Sequence, residues 1–386
     1  MAGMGGEPLR VILNDRCLHG PCTGVGHYVA QLLAALSRQE PGIKVLPFYQ
    51  RCCRRRLRSG WPATVVQGRS PRRWPWWLRR IAQDTYQAAF EAVGLISGCR
   101  LYHEPNHIPG PWPGPVVTTI HDLSVLRYPQ WHPADRVQWY EEELLAALPR
   151  SHRFVTVSEF SKREMVELLG LPAGRITPIP LAPRVVFHPR PPDEVATWLA
   201  AHGLPAAYVL YVGTIEPRKN VAGLLAAYAR LSPEWRRRVA LVIAGASAAW
   251  ARADLGEMIQ RFGLSGQVRV IGYLDDEALA RVYAGARALV WPTLYEGFGL
   301  PPLECMATGT PVITSNLCSL PEVVGDAGVL VDPHDVEDIA AAIRRILEDR
   351  DWANSLSAKG LARARVFSWS RCAAEHAAVY RELADE

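Results

Sequence analysis

The feature that most restricts the fold of this chain is an alternation of short apolar segments with helix-like stretches, which begins a second time halfway along. In the first half, segments such as LRVILND and PVVTTIHD alternate with stretches such as VGHYVAQLLAALSR. In the second half, AYVLYVGT and ARALVWPT alternate with stretches such as NVAGLLAAYARL. Strands that alternate with helices form parallel sheets. The sequence therefore predicts an α/β protein with two Rossmann-like parallel-sheet domains that face each other across a cleft.

A proline-rich run separates the two halves. The run LAPRVVFHPRPPDE is typical of a linker, because proline interrupts helices and strands. We therefore predict an N-terminal domain over residues 1–185 and a C-terminal domain over residues 186–368. In parallel α/β sheets, ligands bind beyond the carboxyl ends of the strands, so candidate site residues are sought there.

The stretch YEGFGLPPLE, which follows the strand-like segment ARALVWPT, carries two acids around a loop and a helix start. Gly297 and Gly299 allow unusual backbone angles, and the two prolines after Leu300 suit the first turn of a helix. A helix N-terminus attracts an anion such as a phosphate. Glu296 and Glu304 bracket that anion site and can each accept hydrogen bonds from hydroxyl groups. The pattern predicts a site for a sugar nucleotide, whose sugar and ribose flank a diphosphate.

A second loop, GTIEPRKN, follows the strand-like segment AYVLYV and opens a helix. Gly213 permits the turn, and Arg218 with Lys219 comes where the helix start already attracts anions. Two cations there suit a diphosphate, whose charge must be neutralised as it leaves. Alone, the two residues could equally be a solvated basic pair. Their place on the same sheet edge as the two glutamates favours the donor site.

Two further strand ends in the first half carry candidate residues. TGVGHY supplies Gly24 and Gly26, but Val29 stands where a dinucleotide fingerprint requires a third glycine. This turn can still let the backbone approach a phosphate. His121 and Asp122 end the segment PVVTTI. A histidine there can hydrogen-bond a sugar hydroxyl or polarise a developing charge, and a capping or packing role is the alternative.

Two patterns with the spacing of metal sites are interpreted otherwise. HEPNH has the spacing of a zinc protease motif, which needs both histidines on one face of a helix. Pro105 and the prolines that follow prevent such a helix, so we expect a strand-end loop that lines the cleft. Asp349 and Asp351 fall between two amphipathic helices, where a solvated turn is expected. No metal and no cofactor are predicted.

Positive charge is concentrated in one segment of the chain. The formal net charge is +5, yet the stretch between Glu40 and Asp84 holds ten arginines and Lys44 without one acid. Tryptophans at positions 61, 74, 76 and 77 are interleaved with these basic residues. Binding to an anionic membrane surface or another polyanion is one interpretation, and a solvated surface loop is the other.

Location is predicted from features that the sequence lacks. No apolar run reaches the length of a membrane span, and the first residues lack the pattern of a signal peptide. The cysteines are scattered without a Cys-x-x-Cys pair, which indicates reduced thiols in a cytosol. We therefore expect a cytoplasmic protein, with peripheral binding of residues 41–83 to the inner face of the plasma membrane left open.

Taken together, these motifs resemble those of the retaining glycosyltransferases of family 4, which have the GT-B fold. The resemblance runs from about Leu9 to the last helix-like stretch. Its strongest element is the Glu-x7-Glu motif from Glu296 to Glu304, followed by GTIEPRKN, TIHDLSVLRYP, VSEFSK and FSWSRCAAEHAAVYREL. It implies that residues 369–386 form a helix that crosses back to the N-terminal domain. In many members, an arginine directly follows the glycine that corresponds to Gly213. This chain has Thr214 at that position, so Arg218 is expected to take over the role of that arginine.

The resemblance also implies roles, residue by residue. Arg218 and Lys219 would bind the donor diphosphate, and Glu304 would hold the ribose. Four residues would act in catalysis: His121, Arg218, Lys219 and Glu296. The other donor contacts would come from the sugar-binding loop, the phosphate-binding turns and the base-binding loop, namely Gly24, Gly26, Gly213, Tyr273, Leu274, Gly297, Phe298, Gly299 and Leu300.

The reaction that the resemblance implies is transfer of a hexose, with retention of configuration and without a metal, to the hydroxyl of a saccharide or lipid-linked saccharide. The GTIEPRKN and HDLSVLRYP variants look most like those of mannosyltransferases that use GDP-mannose in polysaccharide assembly. Two other interpretations stay open. A sugar-nucleotide 2-epimerase shares the fold, and a nucleic-acid-binding protein could use the arginine-rich segment, although no nucleic-acid partner is expected.

Overall fold

The computed structural model describes residues 7–18, 24–48, 76–245 and 255–385. The strands in these ranges are β1 (Leu9–Leu13), β2 (Ile43–Pro47), β3 (Leu101–Glu104), β4 (Val116–Thr119), β5 (Arg153–Thr156), β6 (Ile176–Pro178), β7 (Tyr208–Val212), β8 (Ala240–Ala244), β9 (Val268–Gly272), β10 (Ala288–Trp291), β11 (Val312–Ser315) and β12 (Val329–Val331). The α-helices are α1 (Gly24–Gln39), α2 (Trp76–Ile96), α3 (Ser124–Arg127), α4 (Ala134–Ala147), α5 (Glu159–Leu169), α6 (Pro192–Ala201), α7 (Val221–Ala229), α8 (Pro233–Arg238), α9 (Leu255–Arg261), α10 (Asp276–Gly285), α11 (Leu300–Ala307), α12 (Leu320–Val324), α13 (Val336–Glu348), α14 (Arg350–Ala364) and α15 (Trp369–Asp385).

Each half of the chain forms one parallel sheet. The N-terminal sheet has the strand order β2-β1-β3-β4-β5-β6, and the C-terminal sheet has the order β12-β11-β10-β7-β8-β9. Strands β3, β4, β10 and β11 are buried along their whole length. Parallel strands that are buried on both faces tend to be continuous apolar runs, and β10, with the sequence ALVW, is one that the sequence pattern predicted for this reason. The predicted α/β class with two Rossmann-like sheets is confirmed.

The last helix packs against the first. In α15, a row of residues including Cys372, Ala377 and Tyr380 is buried, and its partner is α1. A polar contact flanks this apolar seam: the Gln39 side chain donates a hydrogen bond to the Ser370 hydroxyl at 2.7 Å. Helix α15 therefore belongs with the N-terminal sheet, although α14 packs on α11 of the C-terminal sheet. The predicted boundaries at residues 185 and 368 stay a prediction.

Contacts join the strand ends of the two sheets. The backbone N–H of Leu123, beyond β4, donates to the Tyr295 hydroxyl, beyond β10, at 3.0 Å. The Ser158 hydroxyl, beyond β5, donates to the Gly297 carbonyl at 2.7 Å. The loops that carry the predicted site residues therefore face each other across the boundary between the domains.

Two predictions from the sequence concern membrane-spanning helices and the state of the cysteines. Within the described ranges, every helix is too short or too polar to cross a lipid bilayer. Among the described residues, the cysteines at positions 305, 318 and 372 are free thiols. Most of the arginine-rich segment 41–83, including the tryptophans at 61 and 74, lies outside the described residues, so its membrane contact stays a prediction.

Candidate active site

The two loops predicted to bind the donor lie side by side because their strands are neighbours. Strands β7 and β10 pair where the strand order of the C-terminal sheet changes direction, and such a point leaves a crevice beyond the strand ends. The backbone N–H of Leu294, in the loop after β10, donates to the carbonyl of Arg218, in the loop after β7, at 2.7 Å. The structure thus brings the Arg-Lys pair and the Glu-x7-Glu motif together.

Glu296 is the residue on which the cations converge. Its carboxylate oxygen Oε1 lies 3.2 Å from Nη1 of Arg218 and also accepts a hydrogen bond from Lys219 Nζ. Arg218 is held from its other side by Glu216, whose carboxylate lies 2.7 Å from Nε. The ammonium group of Lys219 also lies 4.7 Å from the centre of the Trp291 ring. Both cations are therefore fixed in place by neighbours of the C-terminal sheet.

The N-terminal half contributes a compensating charge to this cluster. Burial alone raises the pKa of Asp122, but the positive charge of Arg218 outweighs burial and holds this pKa below its usual range. Burial lowers the pKa of Arg218, but Glu296 and Asp122 outweigh it and raise this pKa above its usual value. Burial also lowers the pKa of Lys219, and the nearby Arg218 lowers it further. Carboxylates from both halves thus neutralise the buried Lys219 and the partly buried Arg218, and an incoming anion can replace these carboxylates.

Two glycines shape the loop that carries Glu296. A Cβ atom on Gly297 would lie 2.1 Å from the carbonyl oxygen of His121, so only glycine allows the two loops to come this close. Gly299 has φ of +114°, a conformation that side chains rarely adopt, immediately before α11. The Ser319 hydroxyl lies 2.8 Å from the carbonyl of Phe298 and fixes the loop from below. The sequence explains these glycines, but it gives no sign of Ser319.

His121 reaches the same place from the N-terminal half. Its Nε2 lies 2.9 Å from the carbonyl oxygen of Pro105, so that nitrogen carries the proton. Burial lowers the pKa of His121, which keeps the imidazole neutral and leaves Nδ1 as a hydrogen-bond acceptor. The backbone N–H of His121 donates to Nε2 of His107 at 3.3 Å. His121 is thus held by the loop that the sequence suggested would line the cleft.

Glu304, the predicted ribose ligand, has a partner that the sequence did not indicate. Its Oε1 lies 3.0 Å from Nε of Arg184, which stands in the proline-rich run between the halves. Nη1 of Arg184 also contacts Asp276 and lies 3.2 Å from each ring nitrogen of His27. Burial raises the pKa of Glu304 to about 7, and Arg184 counteracts that rise. Arg184 therefore joins the linker, α1 and the C-terminal sheet at one point.

The remaining predicted donor residues lie around these two centres. Gly24 begins α1 and Gly26 is buried in its first turn, directly before His27. Tyr273 and Leu274 follow β9 and precede α10, and the Tyr273 side chain is 71% exposed. Gly213 follows β7 with φ of +146°. All of them lie at the carboxyl ends of strands or at the start of a helix, and their contacts with the donor stay a prediction.

Of the two patterns that were not interpreted as metal sites, HEPNH has the predicted strand-end loop, whereas Asp351 lies in the first turn of α14 rather than in a solvated turn. Strand β3 ends at Glu104, and the residues after it form no helix, so HEPNH cannot present two histidines on a helix face. Asp349 caps α14, its carboxylate accepting from the N–H of Trp352 at 2.9 Å. Among the residues that the structure describes, no three His, Cys, Asp or Glu side chains are grouped in a way that could hold a metal ion.

Comparison with known proteins identifies the family of this chain. Residues 23–182 match the family model described as Glycosyltransferase Family 4, and residues 199–363 match the model described as Glycosyl transferases group 1. The O-antigen chain mannosyltransferase B of Escherichia coli is 43% identical over 284 residues, which cover 73% of this chain and 74% of that protein. The chain belongs to glycosyltransferase family 4. The resemblance inferred from the motifs is confirmed.

Further relatives extend the comparison to the fold. A serotype-specific mannosyltransferase WbdA of E. coli is 31% identical over 267 residues, which cover 68% of this chain but only 32% of that longer protein. The structure of a sucrose-phosphate synthase from Thermosynechococcus elongatus superposes with a TM-score of 0.71 at 25% identity, covering 98% of this chain and 99% of that one. This glycosyltransferase therefore has the GT-B fold, and it transfers a sugar.

Proposed function

We propose that this glycosyltransferase moves mannose from GDP-mannose to a hydroxyl of a saccharide acceptor, with retention of configuration and without a metal ion. The convergence of Arg218 and Lys219 on Glu296 carries the proposal, since two adjacent cations shielded from solvent in part can neutralise a leaving diphosphate. The mannosyl group is favoured by the 43% identity to an O-antigen chain mannosyltransferase. Both family matches favour transfer over the epimerase and nucleic-acid alternatives.

The donor fits the site in one direction. Its diphosphate would replace the carboxylates that now neutralise Arg218 and Lys219, close to the first turn of α11. Its ribose hydroxyls would donate to Glu304, and Arg184 would then lose part of its ion pair. Its sugar would lie between Glu296 and His121, whose Nδ1 can accept a hydrogen bond from a sugar hydroxyl. The base would lie toward Tyr273 and Leu274.

The proposed chemical step needs no side-chain nucleophile. The bond between the sugar C1 and the diphosphate oxygen breaks, and the electron pair leaves with the diphosphate, where Arg218 and Lys219 stabilise it. The acceptor hydroxyl attacks C1 from the same face, so the configuration is retained. Its proton passes to the oxygen of the departing diphosphate. Asp122 and Glu296 contribute by keeping the two cations oriented.

A panel of sugar nucleotides tests this proposal. Each nucleotide is incubated with the full chain, with and without a mannose-containing saccharide, and nucleotide release is measured together with the anomeric configuration of the product by NMR. We expect GDP release that depends on the acceptor, an α-linked product from the α-linked donor, and no loss of rate with chelator. UDP release without an acceptor would favour the epimerase. Rates abolished by chelator and restored by magnesium or manganese would overturn the metal-free step.

We further propose that the enzyme works in the cytoplasm against the inner face of the plasma membrane, where a lipid-linked acceptor would be available. The ten arginines and Lys44 between Glu40 and Asp84 support this, since each basic residue contributes about 1 kcal/mol near an anionic leaflet. Tryptophan rings in the same segment favour the interface. The protein should co-sediment with anionic vesicles and dissociate in high salt.

A multiple variant separates membrane binding from catalysis. Replacing the arginines at 54, 55, 56, 72 and 73 by serine should abolish vesicle binding and leave nucleotide affinity unchanged. Wild-type protein that ignores anionic vesicles at low salt would show that the segment is a solvated loop and that the acceptor is soluble.

A further inference from the structure

A buried chain of hydrogen bonds begins and ends on the last helix. Five side chains form it, all of them fully buried: Tyr28, His103, Thr119, His376 and Tyr380. Tyr380 lies 2.7 Å from Nδ1 of His103, and Nε2 of His103 lies 2.8 Å from the Thr119 hydroxyl. That hydroxyl lies 3.0 Å from the Tyr28 hydroxyl, which lies 2.8 Å from Nε2 of His376.

The chain has one consistent direction. Nδ1 of His376 lies 2.7 Å from the carbonyl oxygen of Cys372, so it must donate, and Nε2 must accept from Tyr28. Tyr28 then accepts from Thr119, Thr119 accepts from His103, and His103 accepts from Tyr380. Burial lowers the pKa of His376 to about 4 and lowers that of His103 as well, which keeps both rings neutral. One choice of proton positions therefore satisfies every member.

Tyr28 connects this network to the candidate active site. Its ring packs edge to face on the His121 ring, with centroids 4.9 Å apart and planes at 79°. It also belongs to α1, whose first turn carries the glycines expected near the donor phosphate. The hydroxyl of Tyr28 is anchored between two partners, so the plane that it presents to His121 is fixed.

We propose that Tyr28 is a positioning residue for sugar transfer: it transmits the docking of helix α15, through His376, to the orientation of the His121 ring. This inference rests on the proposed function, because it matters only if His121 contacts the donor sugar. Tyr28 does not touch the reacting atoms. It acts on catalysis only through His121, and the network gives it one stable orientation.

Tyr28→Phe tests the proposal, because it keeps the ring and removes only the hydroxyl. His376 Nε2 and the Thr119 hydroxyl proton then lose their partner in a buried site, and the packing must shift to relieve them. We expect kcat to fall about tenfold, as for coupled neighbours, while KM for the donor stays within about twofold. Tyr228→Phe is the matched control, since Tyr228 is buried in the C-terminal half and donates to the Val239 carbonyl at 2.7 Å. This control should keep wild-type kcat.

A double-mutant cycle with His121→Ala separates positioning from mere stability. If Tyr28 acts through His121, Tyr28→Phe will lower kcat in the wild type and have no further effect in His121→Ala. Equal effects in both backgrounds, or no effect of Tyr28→Phe at all, would overturn the proposal. Thr119→Val, which removes the neighbouring hydroxyl without changing the side-chain shape, serves as the second variant if Tyr28→Phe does not fold.

Histidine NMR provides a readout that does not depend on turnover. In full-length protein labelled with ¹⁵N-histidine, His376 should appear as the Nδ1–H tautomer, and His103 and His121 as the Nε2–H tautomers. Tyr28→Phe should shift the His121 signals. Unshifted His121 signals overturn the positioning role even if the enzyme transfers mannose. Wild type without acceptor-dependent nucleotide release, but with the predicted tautomers and shift, overturns the proposed function and leaves the coupling of Tyr28 to His121 supported.

Discussion

The carboxyl ends of the strands in the two sheets differ in the charge of their buried polar residues. At the C-terminal edge, the buried Lys219 and Glu296 are charged and paired, and the partly buried Arg218 joins them. At the N-terminal edge, most buried residues are neutral, and burial lowers the pKa of each histidine there, including His103 and His121. A buried charge needs a partner, whereas a neutral network needs only satisfied hydrogen bonds. The charged edge suits a diphosphate, and the neutral edge suits uncharged sugar hydroxyls.

Removing a cation from the charged edge should have the largest effect. Arg218→Ala and Lys219→Ala should each lower kcat by roughly a hundredfold to a thousandfold, because each removes charge that stabilises the leaving diphosphate. Initial rates of acceptor-dependent nucleotide release measure this. Arg237→Ala, on the exposed face of α8, is the control and should be neutral. Near wild-type rates in both site variants would show that the cations at the C-terminal edge do not stabilise the leaving diphosphate.

Moving the two sheet edges apart should have the next largest effect on the rate. Gly297→Ala places a methyl group where the His121 carbonyl lies 2.1 Å away, so the loops must move apart. A misplacement of about 1 Å lowers the rate about a hundredfold when it misaligns reacting groups. The rate and the thermal midpoint should be compared with those of Gly174→Ala, whose added methyl meets nothing within 4 Å. A fully active Gly297→Ala would mean that the two edges need not touch during transfer.

Glu304→Ala should weaken the binding of the nucleotide, and this effect should be smaller than those of the changes above. The ribose loses charge-assisted hydrogen bonds worth about 1.5–3 kcal/mol, so the Kd for GDP should rise about tenfold to a hundredfold. Calorimetric titration of GDP measures this. The exposed Glu337→Ala on α13 is the control. Unchanged affinity would show that Glu304 serves Arg184 and the domain boundary rather than the nucleotide.

The neutral edge predicts a pH effect on stability. Burial raises the pKa of Glu104 to about 7, from an ordinary value near 4.5. The folded carboxyl thus binds its proton more tightly than the unfolded one, and stability is lost as pH rises from about 4.5 to about 7. This loss amounts to about 1–3 kcal/mol.

Urea unfolding at several pH values measures this loss. Glu104→Gln should flatten the fall in unfolding free energy across this pH range, and the exposed Glu143→Gln should leave it unchanged. A slope that survives Glu104→Gln would mean that other groups at this edge titrate.

The sequence predicted the parts of the site that lie within one strand–loop–helix unit. The Glu-x7-Glu loop and the Arg-Lys loop were located because strand, glycine and helix start follow each other along the chain. Arg184 was missed because its partner Glu304 is 120 positions away and only the packing of linker on sheet joins them. The Tyr28–His376 contact, over 348 positions, was missed for the same reason. Local pattern reveals loops, whereas the partners of buried polar groups depend on tertiary topology.

The docking of α15 on α1 also determines when the N-terminal half can be completed during synthesis. Domains near the start of a chain usually fold first, while the rest is still being made. Here the face of α1 that packs against α15 lacks its partner until residues 369–383 have left the ribosome. We therefore expect the nascent N-terminal half to expose the α1 seam, including Tyr28, until α15 has been synthesised. Chaperones that bind apolar helix faces are expected to act on that seam before α15 covers it.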